Sequence, residues 1–460
     1  KKKKINYISY NIEKSLNNNF YEYLNNIHNS DLQNYLIFDK MIKFLFKKKI
    51  EVIQKPFKHS IYKKEYNYYD NFFISYFKKL FFISSSYFKK NIFLSTNLSK
   101  KTLPKLYSLF GSYCNFFLFY NFYECFLIKK SNVDLRSRLL SIKTFNNFEK
   151  YIQSNIMQDI PSSYLEMFIK INETIKKSSM HKQKIISSVE YITDDFYKIW
   201  MAEKKLNGSE IYIYDHSNSL RCSFFDFNHE FEISKKIITN LRTKDKNFKN
   251  LPELKFSINS EKIEIKNTNN ISIILYEGPK YAGRCISAPQ SHTTIHQINQ
   301  ILNFYNRLNN KTKKMIKFKT PPNSKERFNT NLKLRSLFPS NKVYKRNKKL
   351  SKVIENSRLL ICTYPQTTFL EILMSGKPFI ILMPREHWLF DAFGEKIIKR
   401  LTKINVLFDN EVEAAKQINK ISNNIESWWK SKNKEIIKIK KIFFNFQFKE
   451  NSSWKKFFLK

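Results

Sequence analysis

A chain of 460 residues exceeds one typical domain and suits two or three. Hydrophobic residues make up 42%, which supports a sizeable core and excludes a disordered chain. The 82 Lys and Arg against 39 Asp and Glu leave a net charge of +43, a balance that on its own suits a polyanion such as nucleic acid or an anionic membrane.

The distribution of that charge points elsewhere. Lys, Asn, Ile, Phe and Tyr crowd the whole chain and only 6 Gly occur, the composition of a coding sequence drifting toward A and T. The basic residues are spread out and form no single arm. Drift is the stronger reading, and a surface for anionic lipid or glycan is the alternative. With no RNA-recognition, zinc-finger or helix-turn-helix pattern, nucleic acid is not an expected partner. The 5 cysteines (Cys114, Cys125, Cys222, Cys285 and Cys362) are scattered and form no CxxC pair. A reducing, cytoplasmic location fits them better than a disulfide framework.

The chain opens on KKKKINYISYNIEK, without an initial Met and without the apolar run of a signal peptide, so a missing start is expected. Residues 1 to about 150 read mostly as helices with a few short strands. Helical spacing runs from Leu24 to Leu45, and Phe81–Ser86 and Ile92–Asn97 look like short strands. Leu106–Tyr123 carries no charge and has the length of a membrane span, but Ser108, Gly111, Ser112, Tyr113 and Asn115 favour a buried element. Two helices split at Pro161 come next. A strand at Lys184–Val189, a helix from Asp194 to a stop at Gly208, and a strand at Glu210–Ser217 make a βαβ unit with a parallel sheet. Polar residues 244 to 270 predict a linker. A second βαβ series follows, with strands at Ile271–Glu277, in KMIKFKT, at Leu359–Tyr364 and at Lys377–Pro384. The fold class is α/β with two doubly wound domains, whose ligand belongs at the carboxyl ends of the strands.

The sharpest constellation is LLICTYPQTTFLEILMSGKPFIILMP. A buried strand ends at Thr363, and a short turn leads to Thr367 and Thr368 at a helix start. Free backbone N–H groups, two hydroxyls and the positive end of the helix dipole suit the phosphates of a nucleotide. Glu371 lies one turn on, where its carboxylate can accept from ribose hydroxyls. On local pattern alone the alternative is a capping box, with Thr368 as cap and Glu371 completing it.

Thr363–Glu371, Gly376–Lys377–Pro378, Glu386–His387–Trp388, Ala414–Ala415–Lys416 and Glu426 to Trp429 occur in an order that resembles a bacterial transferase family of surface carbohydrate biosynthesis. That family is distantly similar to capsule polysaccharide and CDP-glycerol transferases. DIPSSYLEMF (Asp159–Phe168) resembles its I-P-x-x-Y-L-E element. The helix, strand and loop ending at His216 resemble an element that closes on Q-H-G-G, with Ser217 and Asn218 in place of the glycines. Glu230–Ser234 resembles an acidic element that follows. Ile27–Asn29 resembles an N-terminal element that relatives precede with an extra strand, here expected to be absent.

The resemblance implies a GT-B-like arrangement of two Rossmann-like domains with a helical N-terminal part and a C-terminal crossover helix. Expected bounds are an acceptor-side domain at 1–260, truncated at its start, a nucleotide-sugar-binding domain at 261–430, and a basic crossover helix and tail at 431–460. It implies an inverting glycosyltransferase moving a sugar from a nucleotide-activated donor to a cell-surface polysaccharide precursor. Its partners are that donor, a glycan or lipid-linked acceptor and, peripherally, the anionic inner face of the cell membrane. A degenerate, non-catalytic relative serving as a binding or scaffold protein is the alternative.

Inverting transfer needs a base, and His216, Asp215 and Glu230 are the candidates, with Glu232 and His229 behind them. Thr363, Thr367, Thr368, Glu371 and Arg284 are the expected donor contacts, Arg284 as an anion clamp. Lys317 and Lys319 are weaker anion contacts. Trp388 either stacks on a ligand or plugs the core, and Trp428 and Trp429 are expected to pack a late helix against the first domain. No P-loop, GxGxxG, HExxH or GxSxG pattern is present. Without a D-x-D pair at a strand end, metal independence and the absence of a cofactor are the expectation.

Overall fold

Short apolar strands alternating with helices bury both faces of a parallel sheet, and this chain does so twice. The computed structural model describes residues 4–11, 20–56, 77, 80, 90–95, 98, 103–117, 132–177, 181–215, 228–240, 245–252, 254, 268–281, 293–322, 327–388, 390, 392–443 and 452–460. Its compact units are Lys1–Tyr212 and Ile213–Lys460.

The N-terminus differs from expectation. Ile5–Asn11 forms strand β1, which pairs in parallel with β2 (Ile50–Pro56), so a strand does precede the first helix. It escaped the sequence because INYISYN has no clean apolar-polar alternation. Its buried residue is Ser9, whose hydroxyl accepts from Lys43 Nζ at 2.6 Å. The helix expected over Leu24–Leu45 is two, Phe20–Asn29 and Asp31–Phe46. Ser30 separates them, because its extended backbone and its hydroxyl, accepting from Gln33 N, make it the N-cap of the second.

The first large sheet has the order β4-β3-β5-β6-β7-β8. Its strands are β3 (Asn91–Leu94), β4 (Cys114–Phe117), β5 (Lys184–Ser187), β6 (Glu210–Tyr214), β7 (Lys236–Thr239) and β8 (Phe248–Asn250). The pairs β3–β4, β3–β5 and β7–β8 are parallel. Phe81–Ser86 lies outside the described residues. The uncharged stretch from Leu106 enters as the end of a helix (Leu103–Phe110), which buries Leu106 and Phe110, and then as the buried strand β4; its residues 118–123 lie outside the described residues. Among the described residues no helix is long and apolar enough to cross a membrane. Helices α1 (Asn147–Asp159) and α2 (Phe168–Lys176) part at Pro161 as expected. Helix α3 (Asp195–Leu206) is capped by Asp194 and ends before Gly208, whose φ of +81° only glycine adopts easily.

The second large sheet has the order β10-β9-β11-β12-β13, parallel throughout, with β9 (Ile271–Ile274), β10 (Ile316–Lys319), β11 (Leu359–Cys362), β12 (Phe379–Leu382) and β13 (Leu407–Phe408). Counted within each sheet, both orders begin 2-1-3-4-5, the doubly wound pattern whose strand order reverses between its first and third strands. Strand residues alternate between two cores. Leu360, Cys362, Phe379 and Ile381 face helices α6 (Thr367–Ser375), α7 (Ala392–Lys403) and α9 (Ile425–Phe443). Leu359, Ile361, Ile380 and Leu382 face α4 (Thr293–Asn306), α5 (Thr330–Leu337) and α8 (Glu411–Ile421).

Trp428 and Trp429 lie near the start of α9. They pack on the core of this second sheet: Trp429 lies against Phe379 and donates from Nε1 to Gly376 O at 3.2 Å. The tail behaves as a packed element. In α10 (Ser452–Leu459) Trp454 is buried, stacks edge-on with Tyr214 and donates to Pro252 O at 2.8 Å.

Candidate functional site

The carboxyl ends of β9 and β11 meet where the second sheet reverses its winding, the position at which open α/β sheets bind ligands. Thr363 closes β11. It is fully buried, its hydroxyl donates to Ile274 O at 3.0 Å, and it accepts from Tyr276 N at 3.3 Å. Thr363 therefore stitches the two strand ends together. The turn that follows is aromatic: Tyr276 lies 5.2 Å from Tyr364 and 6.4 Å from Trp388, ring centre to ring centre. Trp388 is 3% exposed and belongs to the core, which favours the plug over the stacking platform.

Helix α6 begins at Thr367, with Gln366 as an N-cap that makes no side-chain cap bond. Thr368 is thus the second helical residue, and the capping-box alternative is overturned. Its hydroxyl is hydrogen-bonded to the Tyr364 phenol. Burial pushes that phenol above its usual range, so it stays a neutral hydroxyl at physiological pH. Thr367 and Glu371 are half-buried, and the Glu371 carboxylate is close enough to Tyr364 to add to its shift. Thr363, Thr367, Thr368 and Glu371 thus share one turn and helix start. Cys362 is no nucleophile here, because burial pushes its thiol up to about 12.

Helix α4 braces the same strand ends. Thr294 Oγ1 accepts from Gly278 N at 3.0 Å, and Gln297 Nε2 donates to Thr363 O at 3.4 Å. Beside it the β12–α7 loop forms a 3-10 turn, Arg385–His387. Between this turn and α4 lies a cavity of about 630 Å³. Neither Gln297 nor Glu277 stood out in the sequence. Glu277 is fully buried after β9, where its carboxylate accepts from Thr330 N at 3.3 Å and its carbonyl from Arg327.

The other expected residues fall elsewhere. Asp215 follows β6 and is buried, its amide donating to Ile238 O at 2.9 Å and its carboxylate accepting from Thr239 Oγ1 at 3.4 Å. Glu230 sits half-buried on a helix, Asn228–Ile233, with His229 and Glu232 exposed beside it. His216 and Arg284 lie outside the described residues. Lys319 is buried and donates to Thr320 O at 2.8 Å and Arg346 O at 2.7 Å, and Lys317 Nζ stands 5.8 Å over the Tyr344 ring.

The first unit holds two buried polar clusters. Ser163 and Tyr164 of the IPSSYLE stretch donate to the Asp195 carboxylate at 2.6 and 2.7 Å, and Phe20 N adds a third bond at 2.8 Å. Glu166 pairs with Arg136 Nε at 2.6 Å, both nearly inaccessible. Burial alone would raise that carboxyl, and the Arg136 and Asn132 hydrogen bonds bring it below its usual value. These contacts make the stretch a brace. At the reversal point of the first sheet, Glu190 accepts from Ser187 Oγ and the amides of Ser188 and Val189 at 3.0 to 3.1 Å, and Ser188 reaches Ser95 at 3.2 Å.

Two doubly wound sheets, with a helix start set at the reversal point of the second, define an α/β fold of the Rossmann-like class. The chain belongs to the LIC12162 family transferases, whose family profile matches residues 2–460. No curated protein matches it. Among solved structures, MurG of Acinetobacter baumannii aligns with 81% of this chain and 98% of its own at 11% identity and a TM-score of 0.39, a superposition too loose to bear on function.

Proposed function

We propose that this transferase moves a sugar from a nucleotide-activated donor to a cell-surface polysaccharide precursor, in a GT-B-like arrangement. The reading gives 261–430 the donor and 1–260 the acceptor, a glycan or a lipid-linked glycan at the anionic inner face of the membrane. One observation carries it: the turn Thr363–Gln366 and the start of α6 stand at the carboxyl ends of β9 and β11, where the winding reverses.

In this proposal the donor phosphates lie on the first-turn amides of α6 and the Thr367 hydroxyl, where amide dipoles fixed before the reaction meet the charge of the departing nucleotide. Thr368 and Thr363 hold the turn in shape. Glu371 accepts from the ribose hydroxyls. The bond from the anomeric carbon to phosphate breaks as an acceptor hydroxyl attacks from the opposite face, and His216, Asp215 or Glu230 takes the hydroxyl proton. Arg284 is an auxiliary anion contact, and no step requires a metal.

Calorimetric titration with UDP, GDP, CDP and CMP tests the donor site. We expect one of them to bind wild type and Glu371→Ala to weaken it by about 2 kcal/mol or more, the scale of losing a charged hydrogen-bond partner, with the circular dichroism spectrum unchanged. Unchanged affinity in the variant sinks the ribose assignment. Binding of none of the four favours the alternative, a non-catalytic relative, which the loss of the loop glycines to Ser217 and Asn218 also suits.

A further inference from the structure

We propose that His296, Glu386 and His387 form a binding site for a divalent transition-metal ion of the zinc class. One ligand atom from each, a ring nitrogen or a carboxylate oxygen, lies within 4.8 Å of the others. His387 Nε2 and Glu386 Oε1 are 3.7 Å apart. Two ligands of a tetrahedral zinc ion, bonded at about 2.0–2.1 Å, stand about 3.4 Å apart, so rotamer adjustment alone closes the set. The two imidazoles face each other edge to face at 5.5 Å between centres.

The ligands come from two braced elements. His296 projects from the first turn of α4, whose register is held by the bonds of Thr294 to Gly278 and Gln297 to Thr363. Glu386 and His387 sit on the 3-10 turn after β12, closed by His387 N to Pro384 O at 3.3 Å and Trp388 N to Arg385 O at 3.1 Å. Trp388 anchors that turn in the core. A site carried on such supports loses little freedom when it takes up an ion.

The electrostatics of the cavity are a second, independent indication. In a chain of net charge +43, Glu386, Asp409 and Glu411 line this one cavity with the two histidines. Among the described residues its one cationic lining residue is Arg385, whose guanidinium is engaged by Glu395 at 2.6 Å and lies 4.9 Å over the Phe390 ring. A local excess of carboxylate in a basic protein attracts a cation, and two imidazoles select zinc-class ions over magnesium or calcium. Three protein ligands leave a fourth position, and here it opens on the cavity, where a water or a ligand oxygen completes the tetrahedron. The absence of a D-x-D pair does not speak to this set, whose halves meet only in the fold.

The test is titration of the full chain, freed of metal, with Zn²⁺ in a non-chelating buffer, with no nucleotide present, so that it stands apart from the donor reading. We expect one site per chain, weakened at least tenfold by His387→Ala and by His296→Ala. Co²⁺ in place of Zn²⁺ should give the visible absorption of a tetrahedral site in wild type, absent in the double variant. Circular dichroism and the melting temperature of the metal-free proteins establish that the variants are folded, and Asn303→Ala, a lining residue outside the ligand set, should bind Zn²⁺ as wild type does. No Zn²⁺ site in wild type, or an undiminished one in folded His296→Ala/His387→Ala, overturns the proposal.

Discussion

Lys319 ends β10 with its ammonium inside the protein, held by two carbonyl oxygens and, among the described residues, no carboxylate. Burial lowers its pKa to about 8. Between about pH 8 and the unfolded lysine value near 10.4, the unfolded chain therefore binds more protons than the native one, and stability rises with pH over that window. Chemical denaturation of wild type and Lys319→Met across pH 7.5 to 10.5 should show the difference between them shifting in favour of wild type as pH rises. A pH-independent difference would mean that the ammonium is solvated. The sequence marked Lys319 only as an anion contact, because a one-dimensional pattern shows neither burial nor which carbonyls converge on an amine. Thr363 is the counterpart: its place at the end of a buried strand was legible, but its bond to Ile274 depends on which strand lies beside β11.

Helix α6 shows what an element owes to its neighbours. Its start was readable from the buried strand, the turn and the two threonines, and its stop from Gly376. What holds the stop was not readable: Trp429 Nε1 reaches Gly376 O and Lys440 Nζ reaches Met374 O, both from α9. Gly376 has φ of +71°, and a Cβ there meets nothing within 4 Å. Strain without a clash predicts that Gly376→Ala costs about 1–2 kcal/mol and Gly376→Asn less, since Asn tolerates the left-handed region. Urea denaturation measures both, and equal losses would contradict the account. The break at Ser30 and strand β1 were missed for related reasons. A serine cap inside a long periodic run is overridden by apolar spacing, and β1 gains its partner only once two helices carry the chain back to β2.

At the scale of the molecule, the alternation of strands and helices gave the doubly wound class from sequence, and the winding order came only with the structure. That order matters most for function, since it turns a helix start into one standing at a reversal point. The spread of the +43 charge likewise concealed an acidic cavity between α4 and the β12–α7 loop. The most direct test of the proposed donor site is hydrogen–deuterium exchange across the whole chain, with and without the nucleotide that binds tightest. Slowed exchange concentrated in residues 363–375 and 275–281 is the predicted result. Protection confined to the first sheet, with those segments unchanged at saturation, would contradict the account.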